Sequence, residues 1–299
     1  MDKKSFQIVV LDGYTLASDD LSWEGLTALS TCTFHDRTPQ AEIVARSQSA
    51  DAVLINKVPF TAETINQLPN LKYIGVTATG TNIVDLAAAK ARGIVVTNVP
   101  GYGTQSVAQT VFAHLLNLAQ RVGDHASAVR EGRWTASPDW CFWDTPQIEL
   151  AGLTMGIVGF GAIGREVAKL ADAFGMKVLA TSRSPVLHPK YVNMVDIGIM
   201  FRIADVVSLH CPLTEATKEL VGRKLLSKMK PSAFLINTSR GQLIDEKHLP
   251  MLSQRTNSRV RGSTCYPSNR HRPIIRSFRQ PTASSRRTSP GLLTARECG

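Results

Sequence analysis

The chain has 299 residues, 43% of them hydrophobic, which is enough for two domains of ordinary size. It contains no run of about 18 uninterrupted apolar residues, so the sequence predicts no membrane span. The net charge of +10 is concentrated at one end: residues 1–249 hold 24 Lys and Arg against 23 Asp and Glu, whereas residues 250–299 hold ten Arg against one acid.

The sequence shows no targeting, disulfide or metal-binding pattern. Its opening stretch, MDKKSFQIVVLDG, enters a strand-like run without the architecture of a signal peptide. The five cysteines are scattered without CxxC spacing and the histidines form no metal-ligand cluster, so we expect a cytoplasmic protein without a metal site. The arginine-rich tail has no helical periodicity, which leaves nucleic-acid binding as the weakest of its interpretations.

Strand-like and helix-like segments alternate through the first hundred residues. Amphipathic stretches such as AEIVARSQSA and NIVDLAAAKARG separate the β-rich runs QIVVLDG, ADAVLIN, LKYIGVTATG and GIVVTNV. This alternation predicts right-handed βαβ units on a parallel sheet. Residues 103–131 then form the longest helical pattern, and a loop rich in Trp, Pro and Asp follows it.

A second alternating series starts at Leu153. Its predicted strands are TMGIVGF, KVLATS, ADVVSLH and AFLINTS, and its predicted helices are IGREVAKLADAFG and TEATKELVGRKLLSKM, with a helix-poor turn near YVNMVDIGIMFRI. The sequence therefore predicts an α/β protein with two parallel-sheet domains. From about residue 250 both periodicities vanish, so the tail is predicted to be disordered.

A glycine-rich turn lies between the strand TMGIVGF and the helix that follows it. Gly159, Gly161 and Gly164 have the GxGxxG spacing of a dinucleotide-binding turn. The first glycine permits the tight turn, the second lets the backbone approach a pyrophosphate, and the third allows close helix–sheet packing. An ordinary βα turn is the alternative, but the strand–turn–helix context and the free N–H groups of a helix N-terminus favour dinucleotide binding.

Two arginines follow predicted strands where ligands bind in such folds. The strand KVLATS ends at Ser182-Arg183 instead of the usual acid, so we expect NADP(H) to be accepted and even preferred, unless Arg183 is a solvated loop residue. Arg240, in the stretch NTSRG, has the planar fork that grips a carboxylate, with a structural pair to Asp245 as the alternative. His210, at the end of ADVVSLH, is predicted either to line the cofactor site or to be structural.

Together these segments resemble the D-2-hydroxyacid dehydrogenase family over about residues 7–249. The resemblance rests on LDGYTL, VTATGTNIVDLAAAKARGI, TNVPGYGTQSVAQ, GIVGFGAIG, SLHCPLT and NTSRG. It implies hydride transfer between NAD or NADP and a small 2-oxo or D-2-hydroxy acid, such as hydroxypyruvate or glycerate. It also implies a homodimer formed through the cofactor domain.

The resemblance further implies a flavodoxin-like substrate domain at 1–101, an NAD(P)-binding Rossmann domain at 102–257 and a basic tail outside the family at 258–299. Cofactor and substrate would bind in the cleft of the two domains. Both domains would be Rossmann-like, with doubly wound parallel sheets. Carried over by position, Thr79 and Gly80 would bind the substrate carboxylate, and Arg240 would bind the carboxylate and carbonyl of the 2-oxo acid. Among the cofactor-binding residues, Ala162, Ile163 and Gly164 would hold the pyrophosphate in the turn that also contains Gly159 and Gly161, Ser182 and Arg183 would bind the adenosine ribose, and Pro212 and Thr238 would line the cofactor site.

Two further catalytic groups that the family uses are missing from the chain. The family has a glutamate about thirty residues after that arginine, in a context like DVLxxEPP, and further on a histidine in a context like TPHIAWA. The histidine protonates the carbonyl oxygen, and the glutamate orients it and raises its pKa. The corresponding stretch here holds Asn269 and no TPH. We therefore expect very weak activity, and a non-catalytic dinucleotide-binding protein is the alternative function.

The tail itself offers an explanation when it is back-translated. With CGN arginine and TCN serine codons, the frame one base upstream permits Ala-Gly-Ala-Gly-x-Asp-Val-Leu-x-x-Glu-Pro-Pro and, further on, Thr-Pro-His-Ile-Ala-Trp-Ala. The glutamate codon would straddle Ser268 and Asn269, and the histidine codon would straddle Arg287 and Thr288. We infer a frameshift near residues 245–257, which the DNA sequence of this region tests.

Overall fold

The computed structural model describes residues 6–16, 22–249 and 262–264. The chain forms two compact units that divide between Ser106 and Val107. Each unit contains a parallel sheet accompanied by helices, which confirms the predicted α/β class with two parallel-sheet domains. None of the helices among the described residues is long and apolar enough to cross a membrane.

Unit 1 is built on five short strands. Two of its helices begin at side-chain caps, because Thr61 accepts a hydrogen bond from the Thr64 amide and Asp85 accepts one from the Ala88 amide. The strands are β1 (Gln7–Val10), β2 (Thr31–Phe34), β3 (Ala52–Ile55), β4 (Tyr73–Val76) and β5 (Val95–Asn98), and the helices are α1 (Glu24–Thr27), α2 (Ile43–Ser47), α3 (Ala62–Asn66) and α4 (Leu86–Ala91).

The sheet of unit 1 has the order β2-β1-β3-β4-β5, with every neighbouring pair parallel. This is the flavodoxin-like order, and its topological switch point lies at the carboxyl ends of β1 and β3. The sequence does not predict β2, because three of its four residues are exposed and the run TCTF has no buried alternation. β1, β3 and β4 bury most of the Val, Ile and Leu side chains that made them recognisable, whereas in β5 Val95 is exposed and Val96 half-buried.

Unit 2 is built on six strands. It comprises α5 (Thr104–Gln120), which begins just before the unit boundary, α6 (Val122–Arg130), β6 (Thr154–Val158), α7 (Ala162–Ala173), β7 (Lys177–Thr181), β8 (Val192–Met194), α8 (Ile197–Ile203), β9 (Val206–Leu209), α9 (Arg223–Leu226), β10 (Phe234–Asn237) and β11 (Gly262–Thr264).

The sheet of unit 2 has the order β11-β10-β9-β6-β7-β8, all parallel. Numbered from β6, this is the strand order of dinucleotide-binding Rossmann domains, with the switch point between β6 and β9. Successive residues of a strand enter different cores: Val206 packs with Ile157 on one face, whereas Val207 packs with Val158 on the other. Both faces are therefore covered, as expected for a doubly wound sheet.

The single long helix predicted for residues 103–131 is wrong. Arg121 adopts a left-handed conformation, with φ 52° and ψ 40°, and separates α5 from α6. Its guanidinium donates a 2.9 Å hydrogen bond to Asp124 in the first turn of α6, which stabilises the new helix start. Helical periodicity continues through such a one-residue break, so the pattern could not reveal it.

The segment predicted as a helix-poor turn contains both a strand and a helix. β8 forms the sheet edge, and α8 begins at Asp196, whose carboxylate accepts hydrogen bonds from the amides of Gly198 and Ile199 at 2.7 and 3.2 Å. The helix is only seven residues long, which is too short for a clear apolar period. The N-cap aspartate is the local signal for it.

The helix predicted over TEATKELVGRKLLSKM is reduced to the four residues of α9. Hydroxyl groups compete for the backbone here, because Thr217 Oγ1 accepts a bond from the Thr214 amide and donates one to the Pro212 carbonyl. Glu219 then adopts a positive φ of 53°, which no helix interior allows.

The predicted disordered tail contains one strand. β11 pairs in parallel with β10, with Leu235 opposite Gly262 and Asn237 opposite Thr264. The pairing has a backbone origin, since ladder hydrogen bonds need no particular side chain. The remainder of the predicted tail lies outside the described residues.

Candidate active site

The glycine turn joins β6 to α7 at the switch point of unit 2. Gly159 has φ +95°, and a Cβ there would lie 2.6 Å from the Cys211 amide nitrogen. A Cβ on Gly164 would overlap the Gly159 carbonyl oxygen, whereas a Cβ on Gly161 would meet nothing within 4 Å. The first and third glycines therefore serve the protein's own turn and packing, and open space remains beside the second.

The N-terminus of α7 carries unused hydrogen-bond donors. Gly161 is the N-cap, no side chain caps the helix and no acid lies in its first turn. Among the described residues, none accepts a hydrogen bond from the amides of Ala162, Ile163 and Gly164, and the ladder begins with the Arg165 amide bonded to the Gly161 carbonyl at 3.0 Å. This end of the helix combines orphan N–H groups with a positive dipole, which is the arrangement that binds phosphate.

The carboxyl end of β7 lies beside this turn. The Gly159 amide donates to the Thr181 carbonyl at 3.0 Å, so the next residues, half-buried Ser182 and exposed Arg183, follow directly at the turn. The loop after them is anchored by Arg165, whose guanidinium donates to the Leu187 carbonyl at 2.7 Å. A hydroxyl and a cation thus stand where an acid is usual in NAD-specific domains.

His210, directly after β9, is half-buried beside the glycine turn. Its Nε2 lies 2.8 Å from Ser208 Oγ, and its Nδ1 is buried without a partner in the described part of the chain. Burial lowers the pKa of His210 to about 4, so the imidazole is neutral at neutral pH. Of the two predicted alternatives, the environment favours the structural one.

The carboxyl end of β10 forms a tight turn around its last residue, Asn237. Its Oδ1 accepts a bond from the Ser239 amide at 3.0 Å, and its Nδ2 donates to the Arg240 carbonyl at 2.8 Å. Ser239 Oγ donates to the Leu209 carbonyl at 2.8 Å, which ties the turn to β9. The backbone that carries Arg240 is therefore fixed, while its side chain is exposed.

Two further predicted cofactor residues flank these strand ends. Thr238 lies directly after β10, and its Oγ1 is a buried hydroxyl for which the described residues provide no partner. Pro212, exposed after β9, has its carbonyl held by Thr217 Oγ1 at 2.6 Å. The structure thus brings Thr238, Pro212 and the glycine turn to the same edge of one sheet.

In unit 1, the predicted substrate residues lie after β4, at the carboxyl edge of the sheet. Thr79 is exposed and Gly80 is half-buried. Asn98 Nδ2 donates to the Thr79 carbonyl at 2.7 Å, and Thr79 Oγ1 donates to the Val99 carbonyl at 3.2 Å. Within the residues that the structure describes, neither the Thr79 nor the Gly80 amide has an acceptor.

The residues present at the edge of unit 2 fit a dinucleotide. Three observations agree: an uncapped helix N-terminus, open space where a Cβ on Gly161 would stand, and the orphaned hydroxyl of Thr238. For metals, no three His, Cys, Asp or Glu side chains of residues 6–16 and 22–249 form a group that could hold an ion.

Comparison with known proteins decides the family. Residues 112–260 match the family model of the D-isomer specific 2-hydroxyacid dehydrogenase NAD-binding domain. A hydroxypyruvate reductase of Blautia hydrogenotrophica is 45% identical over 248 residues, which cover 81% of this chain and 77% of that protein. The chain belongs to the D-isomer specific 2-hydroxyacid dehydrogenases. The family indicated by the sequence motifs is thereby confirmed, as is a cofactor of the NAD or NADP type.

Another relative and two solved structures are also similar to this dehydrogenase. A glycerate dehydrogenase of Methylorubrum extorquens is 46% identical over 212 residues, 71% of this chain and 66% of that protein. Among solved structures, the TT0316 protein from Thermus thermophilus has a TM-score of 0.77 at 32% identity and covers 90% of this chain and 84% of its own. An acyclic imino acid reductase in complex with NADPH and D-Arg has a TM-score of 0.75 at 31% identity, covering 88% and 85%.

Sequence reasoning missed the residues that hold the dehydrogenase's loops in shape. Asn98 and Asn237 are each the last residue of a strand, and each donates from Nδ2 to a carbonyl of a predicted ligand-binding loop. The shared signal, an asparagine that closes a β-rich run, was available in the sequence. Arg165 gave no such signal, because its partner, the Leu187 carbonyl, lies 22 residues away.

Proposed function

We propose that this dehydrogenase interconverts hydroxypyruvate and D-glycerate with an NAD(P) cofactor. The observation that carries the proposal is the 45% identity with a hydroxypyruvate reductase over 248 residues, and the glycerate dehydrogenase relative supports it. When bound, the reduced nicotinamide would supply a hydride to C2 of the oxo acid, and the carbonyl oxygen would take its proton from water, because the chain lacks the family's histidine.

The cofactor's pyrophosphate is held by the backbone amides of Ala162, Ile163 and Gly164. Their lack of acceptors among the described residues supports this role, as does the positive end of the α7 dipole. The space beside Gly161 allows the close backbone approach that such binding requires.

The adenosine end is recognised by Ser182 and Arg183, with NADPH preferred over NADH. The exposed guanidinium attracts a 2′-phosphate, and no carboxylate at this strand end repels it. Thr238 and Pro212 line the rest of the cofactor site, and the orphaned Thr238 hydroxyl supplies a hydrogen-bonding group there.

The oxo acid is held through its carboxylate and carbonyl. Arg240 provides the bidentate cation, on a backbone that Asn237 fixes. In unit 1 the free amides of Thr79 and Gly80 bind the carboxylate, on a loop that Asn98 fixes. Strand-final asparagines thus support both groups.

These roles divide the chain. Residues 1–101 form the substrate domain, residues 102–257 form the cofactor domain, and residues 258–299 lie outside the family. The flavodoxin-like strand order of unit 1 and the family match at residues 112–260 support the two domains, while the tail shares three residues with that match and contains β11, the sixth strand of unit 2.

Two copies of the dehydrogenase associate through the cofactor domain. The segment after α6 exposes three indoles, with Trp134, Trp140 and Trp143 exposed by 52%, 87% and 67%. Such clustered aromatic area is typical of association surfaces. Trp140→Ser is expected to weaken the dimer in sedimentation equilibrium, and a monomeric wild type would contradict the proposal.

The enzyme acts in the cytoplasm, a location that the free thiols of Cys32, Cys141 and Cys211 support.

The reaction itself is tested with the purified 299-residue chain and hydroxypyruvate. We expect NADPH to bind and to be oxidised slowly, because lack of a positioned general acid removes about 10²–10⁴-fold of rate. Binding without any turnover would select the second candidate function, a dinucleotide-binding protein, which the missing glutamate and histidine favour. Failure to bind either NADPH or NADH would refute both.

A further inference from the structure

Asp12 is the only charged side chain among the buried residues of the described part of the chain. It lies two residues after β1 and is 6% exposed. Its Oδ1 and Oδ2 accept hydrogen bonds from the Asn56 amide at 2.8 and 3.0 Å, and Oδ2 also accepts one from the Lys57 amide. One buried carboxylate therefore holds two consecutive N–H groups. Burying a charge is costly unless hydrogen bonds compensate, and here the two amides supply those bonds.

The gripped residues follow β3, so the contact spans the carboxyl ends of β1 and β3. That is the topological switch point of unit 1, where ligands of open α/β sheets bind. The same loop is held from its other side, because the amide and the hydroxyl of Thr77, after β4, both donate to the Ile55 carbonyl at 2.8 and 3.1 Å. The loop that begins at Asn56 therefore has a fixed backbone.

The side chain that this loop presents is a cation. Lys57 is exposed between half-buried Asn56 and buried Val58, and in the described residues its ammonium forms no ion pair. By contrast, the neighbouring Arg37 stacks at 3.7 Å on the Tyr14 ring. A cation on a fixed backbone at the switch point suits an anionic ligand.

We propose that Lys57 is a substrate-recognition residue for the 2-oxo acid and that Asp12 is the positioning residue that holds it in place. The inference rests on the proposed function and deepens it. The ammonium of Lys57 attracts the carboxylate and donates hydrogen bonds to the oxygen atoms of the acid. Asp12 acts on the substrate indirectly, through the amides of Asn56 and Lys57.

Asp51 provides a matched control in the same unit. Its carboxylate also accepts a backbone amide, that of Gln7 at 3.0 Å, and also contacts a lysine, Lys72 at 2.8 Å. However, it lies at the amino end of β3, away from the switch point. Asp51→Asn should therefore lower the melting temperature without changing ligand affinity.

The experiment uses the full chain and oxamate, an oxo-acid analogue that cannot be reduced, so no turnover is needed. Calorimetry at saturating NADPH measures oxamate affinity for the wild type and for Asp12→Asn, Lys57→Met and Asp51→Asn. Hydrogen exchange measures the protection of the amides of Asn56 and Lys57. Asparagine at position 12 keeps one acceptor oxygen and loses the charge, so part of the grip remains.

We expect Asp12→Asn and Lys57→Met each to weaken oxamate binding about tenfold or more. Only Asp12→Asn should speed exchange of the two amides, and NADPH affinity should stay within about twofold of the wild type. Unchanged oxamate affinity in Lys57→Met, an exposed site that folds normally, would overturn the proposal. Unchanged exchange in Asp12→Asn would remove Asp12 from it. No oxamate binding by the wild type would refute the proposed function itself, and the role of Lys57 with it.

Discussion

Gly161→Ala separates the packing of the glycine turn from its binding of a cofactor. The new Cβ would meet no protein atom within 4 Å, and the residue has an ordinary φ of −84°. The folding cost is therefore only that of a poorer N-cap, roughly 0.5–1 kcal/mol. For a unit of this size each 1 kcal/mol lowers the melting temperature by roughly 2–4 °C.

Cofactor binding should suffer far more, because the methyl group fills the space through which the pyrophosphate approaches the backbone. Loss of one charge-assisted hydrogen bond costs about 1.5–3 kcal/mol, which corresponds to roughly 10–150-fold weaker binding. Fluorescence titration with NADPH measures this change, and a thermal melt of the same sample measures stability.

Gly164→Ala is the matched control for this substitution. Its Cβ would overlap the Gly159 carbonyl oxygen and lie 3.2 Å from Ile157 Cγ2, so α7 must move away from the sheet. Overpacking of this kind costs about 1–3 kcal/mol or more, and the variant should lose stability and binding together. If Gly161→Ala bound NADPH as tightly as the wild type, the pyrophosphate assignment would be refuted.

Three further predictions concern the cofactor, pH and the tail. Arg183→Ala should weaken NADPH binding at least about tenfold and leave NADH binding unchanged, and an equal loss for both would contradict 2′-phosphate recognition. The pKa of His210 is lowered from 6.5 to about 4 in the folded state, so the unfolded chain binds the proton more tightly than the folded one. The free energy of unfolding should therefore fall by about 3 kcal/mol as the pH drops from about 6.5 to 4. His210→Gln should flatten that part of the pH profile in denaturant titrations, and an unchanged profile would show that another group is responsible. A gene restored to the frame with DVLxxEPP and TPHIAWA should reduce hydroxypyruvate about 10²–10⁴-fold faster than the 299-residue chain, and equal rates would sink the frameshift inference.

How much of the structure could be predicted from the sequence depended on how far apart in the chain the interacting residues lie. The glycine turn was readable because turn, spacing and helix start all lie within residues 156–164, and strands with buried Val and Ile were readable from their own side chains. The edge strand Thr31–Phe34 was not, since its residues are exposed and its identity comes only from pairing with Gln7–Val10.

The side-chain contacts that shape a binding site were harder still to predict from the sequence. The Asp12 carboxylate reaches amides 44 and 45 residues away, and nothing in the run LDG distinguishes that grip from an ordinary turn. Thr79 and Gly80 entered only through family resemblance, because a Thr-Gly pair after a strand predicts no particular ligand. The helix break at Arg121 shows a different difficulty. The apolar spacing is helical on both sides of it, so the sequence predicts one helix although the backbone of a single residue interrupts it.

The pairing of Gly262–Thr264 with β10 has a consequence for how the protein tolerates change at its end. A sheet edge is completed by main-chain amides and carbonyls, which every residue except proline supplies alike, so this pairing places little demand on the side chains of the sixth strand. This cover shields the β10 edge from recruiting a strand of another molecule, the usual first step of sheet-driven aggregation.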